Sequence, residues 1–151
     1  MTVKPQNSAA GLVLVSACLA GRACRYNATA APHPAVLALV GQGRAVLVCP
    51  EALGGLPVPR EPMELRKGRA IGASGADHTE AFLAGARRAL GICRKHGCAR
   101  AILKSRSPSC GCGQVYDGSF SGRLVPGNGL FAALLKENGV AVCSEQELPG
   151  Q

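Results

Sequence analysis

The stretch Ala101-Ile-Leu-Lys-Ser-Arg-Ser-Pro-Ser-Cys-Gly-Cys-Gly113 changes character in its middle. Residues 101–104 are mainly apolar and predict a short buried strand. The part rich in Ser, Pro and Gly that follows cannot build a core, but it can form a tight loop whose N–H groups and hydroxyls bind a ligand. Cys110 and Cys112 lie in this loop. Thiols at the exit of an apolar strand are suited to ligation or catalysis, although a surface loop with an incidental cysteine would have the same composition.

The same arrangement occurs twice more. Residues 11–17 and 44–48 are short, nearly continuous apolar runs, which are typical of strands buried on both faces. Cys18 directly follows the first run and Cys49 directly follows the second. A fourth apolar run, residues 140–143, predicts a last strand.

The segments between these runs have helical patterns or turn signals. Asp77 is predicted to be the N-cap of the second helix. Leu130, Ala133 and Leu134 are predicted to form the buried face of the third helix. The predicted helices are 35–40, 77–96 and 129–138, and a short hairpin or extended segment is predicted for 64–73.

Strands that alternate with helices predict an α/β fold with a parallel, Rossmann-like sheet flanked by helices on both faces. In such a sheet, the loops that leave the carboxyl ends of the strands lie at one edge. Cys18, Cys49 and Cys110 are in three of these loops. We therefore expect three thiols from distant parts of the chain to converge.

Composition favours one domain, over residues 11–151, after a flexible N-terminus over residues 1–10. The chain has 151 residues, of which 47% are hydrophobic, so a sizeable core is possible. No apolar run is long enough to span a membrane, and residues 1–10 do not form a secretory signal, so we expect a cytoplasmic protein. The formal charge of +8 favours anionic partners, RNA among them, or simply a solvated basic surface.

The cysteine pattern favours a metal or redox site over disulfides. Eight cysteines are present without a C-x-x-C pair, which argues against a zinc ribbon or a thioredoxin-like motif. Three converging thiolates are soft-metal ligands. A [4Fe-4S] cluster normally takes four Cys, so three would leave one iron open to water or substrate and make it a Lewis acid.

Two polar residues near the expected thiol site could take part in chemistry. Glu51 follows Cys49 by two residues and could move a proton, or it could be a surface or helix-capping carboxylate. Ser107 precedes Cys110 by three residues and could hydrogen-bond a substrate, or it could only shape the turn before a proline. Lys104 could stabilise developing negative charge, but it is expected to be a strand-end lysine that faces solvent.

Four blocks of the chain resemble the thiouracil desulfidase family, in the same order and over nearly the whole length. The most specific are the Cys-Pro-Glu and Ser-Pro-Ser-Cys-Gly motifs. The blocks are 15–21 with Arg25-Tyr26, 49–60 with Pro62 and Glu64, 104–111, and 116–122. Asn27-Ala28 departs from the Asp-Gly pair expected after the tyrosine, and Cys112 is an additional thiol beside the third cysteine loop.

The resemblance implies an oxygen-sensitive [4Fe-4S] enzyme that removes sulfur from 2- or 4-thiouracil without net redox change. It implies that Cys18, Cys49 and Cys110 bind the cluster and that Glu51 and Ser107 are catalytic. The expected partner is a small thiolated nucleobase. Since Gly111 and Gly113 can turn the chain, Cys112 is expected to point away from the open iron.

Two other functions remain compatible with the residues. Desulfuration of thiouridine in tRNA, or RNA binding, would suit the basic charge. An electron-transfer or iron–sulfur sensing protein would need a fourth protein ligand to the cluster, for which Cys112 is the obvious candidate in the sequence.

Overall fold

The computed structural model describes residues 11–148, so the predicted flexible N-terminus, 1–10, and residues 149–151 of the predicted domain lie outside the described residues. Short 3-10 helices follow the first and last strands, at Ala17–Ala20 and Glu145–Glu147. In chain order the other elements are β1 (Val13–Ser16), α1 (Pro34–Gly41), β2 (Ala45–Val48), α2 (Pro50–Leu53), β3 (Met63–Arg66), β4 (Arg69–Gly72), α3 (Thr79–Lys95), β5 (Arg100–Leu103), β6 (Gln114–Tyr116), β7 (Leu124–Pro126), α4 (Leu130–Glu137) and β8 (Ala141–Ser144).

Four parallel strands form the central sheet, in the order β2-β1-β5-β8. Val15 of β1 is level with Leu47 of β2 and with Ile102 of β5. The predicted parallel α/β sheet is therefore confirmed. Its strand ends are nearly level, so the segments that leave β1, β2 and β5 begin at one edge of the sheet.

Alternate residues of the central strands face two separate cores, because successive side chains of a strand point to opposite faces. Leu14 and Leu103 belong to a core that α3 and α4 cover. Val13 and Val15 belong to a core on the other face, which Val36 of α1 joins. Helices therefore flank both faces of the sheet, as the near-continuous apolar strands predict.

The start of α3 differs by one residue from the prediction. Its N-cap is His78, and Asp77 lies one position earlier. The Asp77 carboxylate nevertheless accepts a hydrogen bond from the N–H of Thr79 at 2.9 Å. The side chain thus satisfies one of the free donors of the first helical turn from outside the cap position.

The predicted buried face of α4 is confirmed only in part, because Leu134 and Leu130 pack against buried clusters but are not the most buried residues of the helix. The helix buries Phe131, Ala132 and Leu135, while Leu130, Ala133 and Leu134 are only partly buried. Residues 130–135 are all apolar, so periodicity does not distinguish one helix face from its neighbour.

The predicted segment 64–73 forms the antiparallel hairpin of β3 and β4. Helix α2 and the antiparallel pair of β6 and β7 were not predicted, since both are made of very short elements. None of the helices within residues 11–148 has the length and apolar character needed to cross a membrane.

Helix α2 packs against α3 with the two backbones in direct contact. A Cβ atom on Gly85 of α3 would overlap the carbonyl oxygen of Pro50. One on Gly54, at the end of α2, would overlap the carbonyl oxygen of Ala81. The two glycines therefore fix where α2 lies, together with Cys49 just before it and Glu51 within it.

We predict opposite effects for the same substitution at two positions of α3. Gly85→Ala should lower the free energy of unfolding by about 1–3 kcal/mol, because the added methyl group overlaps the Pro50 carbonyl. A Cβ atom at Gly91 would meet no atom within 4 Å. Gly91→Ala should therefore raise the free energy of unfolding by about 0.5–1 kcal/mol, since alanine loses less backbone entropy than glycine when a helix forms. Urea unfolding of both variants measures the difference, and equal effects would contradict close packing at Gly85.

Candidate active site

A cavity of about 450 Å³ opens at the sheet edge where β1, β2 and β5 end. The five residues singled out in the sequence all line it: Cys18, Cys49, Cys110, Glu51 and Ser107. The structure therefore brings together the side chains that the sheet topology places at one edge.

Cys18 and Cys49 each lie where a strand ends and a short helix begins. Cys18 is in the 3-10 helix after β1, with its side chain buried. Cys49 is the N-cap of α2, and Pro50 follows at N1, where its fixed φ suits the first turn. Contact with the Cys24 thiol and burial raise the pKa of Cys49. The free thiol is therefore protonated, and it would lose this proton when a metal cation binds the sulfur.

The loop after β5 folds around the side chain of Ser107. The Ser107 Oγ accepts hydrogen bonds from the N–H groups of Ser109 at 3.1 Å and Cys110 at 3.0 Å. Because these contacts use the oxygen as an acceptor, the hydroxyl hydrogen can donate to a group in the cavity. Cys110 is buried, and burial raises the pKa of its thiol to about 12.

The start of helix α4 supports the same loop through hydrogen bonds. The free N–H groups at its start donate to the carbonyl oxygens of Pro108, Ser109 and Gly111 at 2.8–3.1 Å. Gly129 permits this approach, because a Cβ atom there would overlap the Ser109 carbonyl. The helix therefore gains partners for its orphan donors, and the Cys110 loop gains a rigid support.

A buried ion pair holds Glu51. Arg60 Nε lies 2.8 Å from Glu51 Oε1, and the two side chains are only 5% and 13% exposed. Arg60 also donates to the carbonyl oxygens of Pro57 at 3.1 Å and Cys24 at 3.0 Å. Burial raises the pKa of Glu51, and the charge and hydrogen bond of Arg60 oppose that shift. One guanidinium thus orients the carboxylate and ties together two loops of the cavity.

We predict that Arg60→Gln destabilises the protein by about 3–5 kcal/mol, because it leaves the buried Glu51 carboxylate without its cation. The same substitution in a Glu51→Gln background should cost much less, since no charge is then stranded. Urea unfolding of the wild type, both single variants and the double variant gives the coupling energy. Additive costs would show that the two side chains do not depend on each other.

Glu145 holds Lys104 and Ser105 at the cavity wall. The N–H and hydroxyl of Ser105 donate to the Glu145 carboxylate at 2.7 and 2.8 Å, and Lys104 Nζ lies 3.4 Å from the same group. The Lys104 side chain is 22% exposed. The expectation of a lysine that faces solvent is therefore wrong: the ion pair keeps its cation at the cavity.

The cysteines have different surroundings, and all eight are free thiols. Cys24, for which the sequence predicted no role, also lines the cavity, and its thiol interacts with those of Cys18 and Cys49. The only signal for it is that it shares a loop with Cys18. Cys112 is not among the described residues that line the cavity. Its Sγ lies 3.7 Å from the carbonyl oxygen of Val142.

The arrangement of thiols suits a cluster better than a single ion. Within residues 11–148, no three His, Cys, Asp or Glu side chains are placed to hold one metal ion. Cys18, Cys49 and Cys110 instead reach a common cavity from three separate strand ends. Soft thiolate donors spread around a cavity match an iron–sulfur cluster, in which each cysteine binds a different iron.

Comparison with known families agrees with this donor set. Residues 13–147 match the model of a family described as 2-thiouracil desulfurase. The chain belongs to the 2-thiouracil desulfurase family. The resemblance seen in the sequence motifs is therefore confirmed.

Two relatives of this desulfurase family member cover most of its length. An uncharacterized protein of Bacillus subtilis (strain 168), YbbK, is 43% identical over 147 residues, which are 91% of this chain and 97% of YbbK. The solved structure of TudS, a [4Fe-4S]-dependent thiouracil desulfidase, is 43% identical in sequence. It superimposes with a TM-score of 0.87 over 91% of this chain and 93% of TudS.

Proposed function

We propose that this protein is an enzyme that hydrolyses the carbon–sulfur bond of thiouracil, giving uracil and hydrogen sulfide without net redox change. The observation that carries the proposal is the convergence of three thiols, a buried carboxylate and a serine hydroxyl on one cavity. Membership of the 2-thiouracil desulfurase family and similarity to TudS support it. We further propose that the protein works in the cytoplasm and is sensitive to oxygen.

Cys18, Cys49 and Cys110 would hold a [4Fe-4S] cluster in this cavity. With three thiolate ligands, such a cluster supplies one open iron, a Lewis acid that suits a soft thiocarbonyl sulfur. The thiols give up their protons when they ligate, so loading is coupled to proton release. Cys24, whose thiol contacts those of Cys18 and Cys49, would remain a free thiol beside the three ligands.

Glu51 would move the proton of the attacking water. The water oxygen forms a bond to the thiocarbonyl carbon, the bond from that carbon to sulfur breaks, and the two water protons leave with the sulfide. Arg60 binds Oε1 of Glu51, so we assign the proton to the second oxygen, Oε2. The ion pair keeps the carboxylate oriented and opposes the rise in its pKa that burial causes, which favours its role as a general base.

Ser107 would orient the pyrimidine ring of the substrate. Its oxygen is fixed by the N–H groups of Ser109 and Cys110, so the direction in which its hydrogen donates is restricted. A donor held in this way can bind a ring nitrogen or carbonyl oxygen of the pyrimidine. Because one of these N–H groups belongs to Cys110, a single loop positions both the Cys110 thiol and the Ser107 hydroxyl.

We predict that Glu51→Gln keeps the cluster and lowers turnover of thiouracil by about 10²–10⁴-fold, the usual contribution of acid–base catalysis. Sulfide release from 2- and 4-thiouracil, measured anaerobically on protein with known iron content, tests this. Turnover like that of the wild type, with the cluster intact, would remove Glu51 from the mechanism. No sulfide release by the wild type from either thiouracil would overturn the proposed function.

We predict that Cys18→Ser, Cys49→Ser and Cys110→Ser each lose bound iron, because a hydroxyl is a poor soft-metal ligand. Cys24→Ser and Cys112→Ala should retain iron and serve as controls at the cavity and outside it. Iron per chain and the visible absorption of the cluster measure loading. Loss of the cluster from Cys24→Ser or Cys112→Ala would indicate a fourth thiolate ligand and favour an electron carrier or sensor.

Desulfuration of thiouridine in tRNA is the second candidate, favoured by the net charge of +8. Polyanions bind such surfaces through their phosphates, and this binding weakens with salt. Comparing kcat/KM for free thiouracil and for thiolated tRNA, at two salt concentrations, separates the two substrates. A higher kcat/KM for tRNA that falls with salt would favour the second candidate.

A further inference from the structure

Aromatic residues are concentrated at the cavity. The chain has only five, two Tyr and three Phe, and no Trp. Phe82 and Phe131 are fully buried in the core. The other three, Tyr26, Tyr116 and Phe120, all line the cavity. Three of the five aromatic residues of the chain therefore lie at the cavity and not in the core.

Phe120 is held in an unusual backbone conformation. Its φ is 58°, in the left-handed region that residues other than glycine rarely adopt. The Glu64 side chain supports this conformation, because its Oε1 accepts hydrogen bonds from the N–H groups of Phe120 at 3.1 Å and Gly118 at 3.0 Å. One carboxylate oxygen thus fixes the backbone on both sides of the turn that presents the ring.

Gly118 also connects the Phe120 loop to β3, through its carbonyl oxygen and by close packing. Arg66 Nη2 donates to the Gly118 carbonyl oxygen at 2.7 Å. Gly118 has a φ of 92°, and a Cβ atom there would lie 2.8 Å from the carbonyl oxygen of Leu65. The surface loop that carries Phe120 is therefore positioned by the hairpin beside the cavity. A strained backbone held by several contacts is typical of a ligand-binding element.

We propose that Phe120 is a specificity-determining residue whose ring stacks on the pyrimidine of the substrate, and that Glu64 is the positioning residue that presents it. This inference rests on the proposed function, which it deepens. A planar heteroaromatic ring gains favourable stacking energy on an aromatic face. An acyclic or puckered thiocarbonyl compound cannot stack in this way. The cavity would therefore select planar heterocycles over other thiocarbonyl compounds.

Equilibrium binding tests the inference without turnover. Calorimetry with the cluster-loaded protein compares uracil with 5,6-dihydrouracil, which keeps the carbonyl and N–H groups but has no aromatic ring. The wild type should bind uracil more tightly. Phe120→Leu should weaken uracil binding by about 5- to 150-fold, the range for loss of one stacking contact, with less effect on dihydrouracil. Phe120→Tyr should restore the preference.

The role of Glu64 is tested by coupling. Glu64→Ala alone should weaken uracil binding. Added to Phe120→Leu it should have little further effect, because Glu64 acts through the Phe120 ring. Arg123→Gln changes an exposed residue of the same loop that does not line the cavity, so affinity should stay within about twofold. Additive losses would overturn the positioning role.

The outcomes separate this inference from the proposed function. A preference for uracil that depends on Phe120, without sulfide release from thiouracil, would support stacking and overturn the function. Sulfide release with an unchanged preference in Phe120→Leu would support the function and overturn stacking. No measurable binding of uracil by the wild type would also overturn stacking.

Discussion

Parallel pairing of β1 with both of its neighbours is the constraint on which the site depends. Ser16 ends β1 level with Val48 of β2, and its hydroxyl accepts the N–H of Lys104, just after β5, at 2.9 Å. This side-chain contact extends the ladder by one step at the edge where the cavity lies. A slip of one residue in either pairing would exchange the two buried faces of a strand. Register is therefore fixed by the core, and the convergence of the thiols follows from it.

Burial shapes the electrostatics of the cavity as well as its packing. The Cys110 thiol, with a pKa raised to about 12 by burial, is neutral at physiological pH. The Glu51 carboxylate is partly buried and has Arg60 as its cation, and the Glu145 carboxylate has Lys104. These two carboxylates are thus paired, whereas the Cys110 thiol becomes charged only when it loses its proton on binding a metal. Neither carboxylate is therefore left without a cation in the folded protein.

The sequence was sufficient for elements with strong local signals. Apolar runs predicted the four strands, and the parallel topology then predicted a shared edge for the three cysteines. Helix α2 escaped prediction because its four residues are too few to be stable alone. Contacts at Gly54 and Gly85 hold it, and no local pattern encodes them. The most buried positions of α4 were missed because every position of its apolar run fits a buried face.

The thiols show why neighbours in sequence can mislead about a site. Cys110 and Cys112 form a C-x-C pair, and an extended chain would direct both side chains to one face. Gly111 prevents this, because the chain turns so tightly there that a Cβ atom would lie 2.7 Å from the Ser107 carbonyl oxygen. Cys110 consequently lines the cavity, while Cys112 contacts Val142 of β8. Topology identifies the loops that reach a sheet edge, but the turns within each loop decide which thiols enter the site.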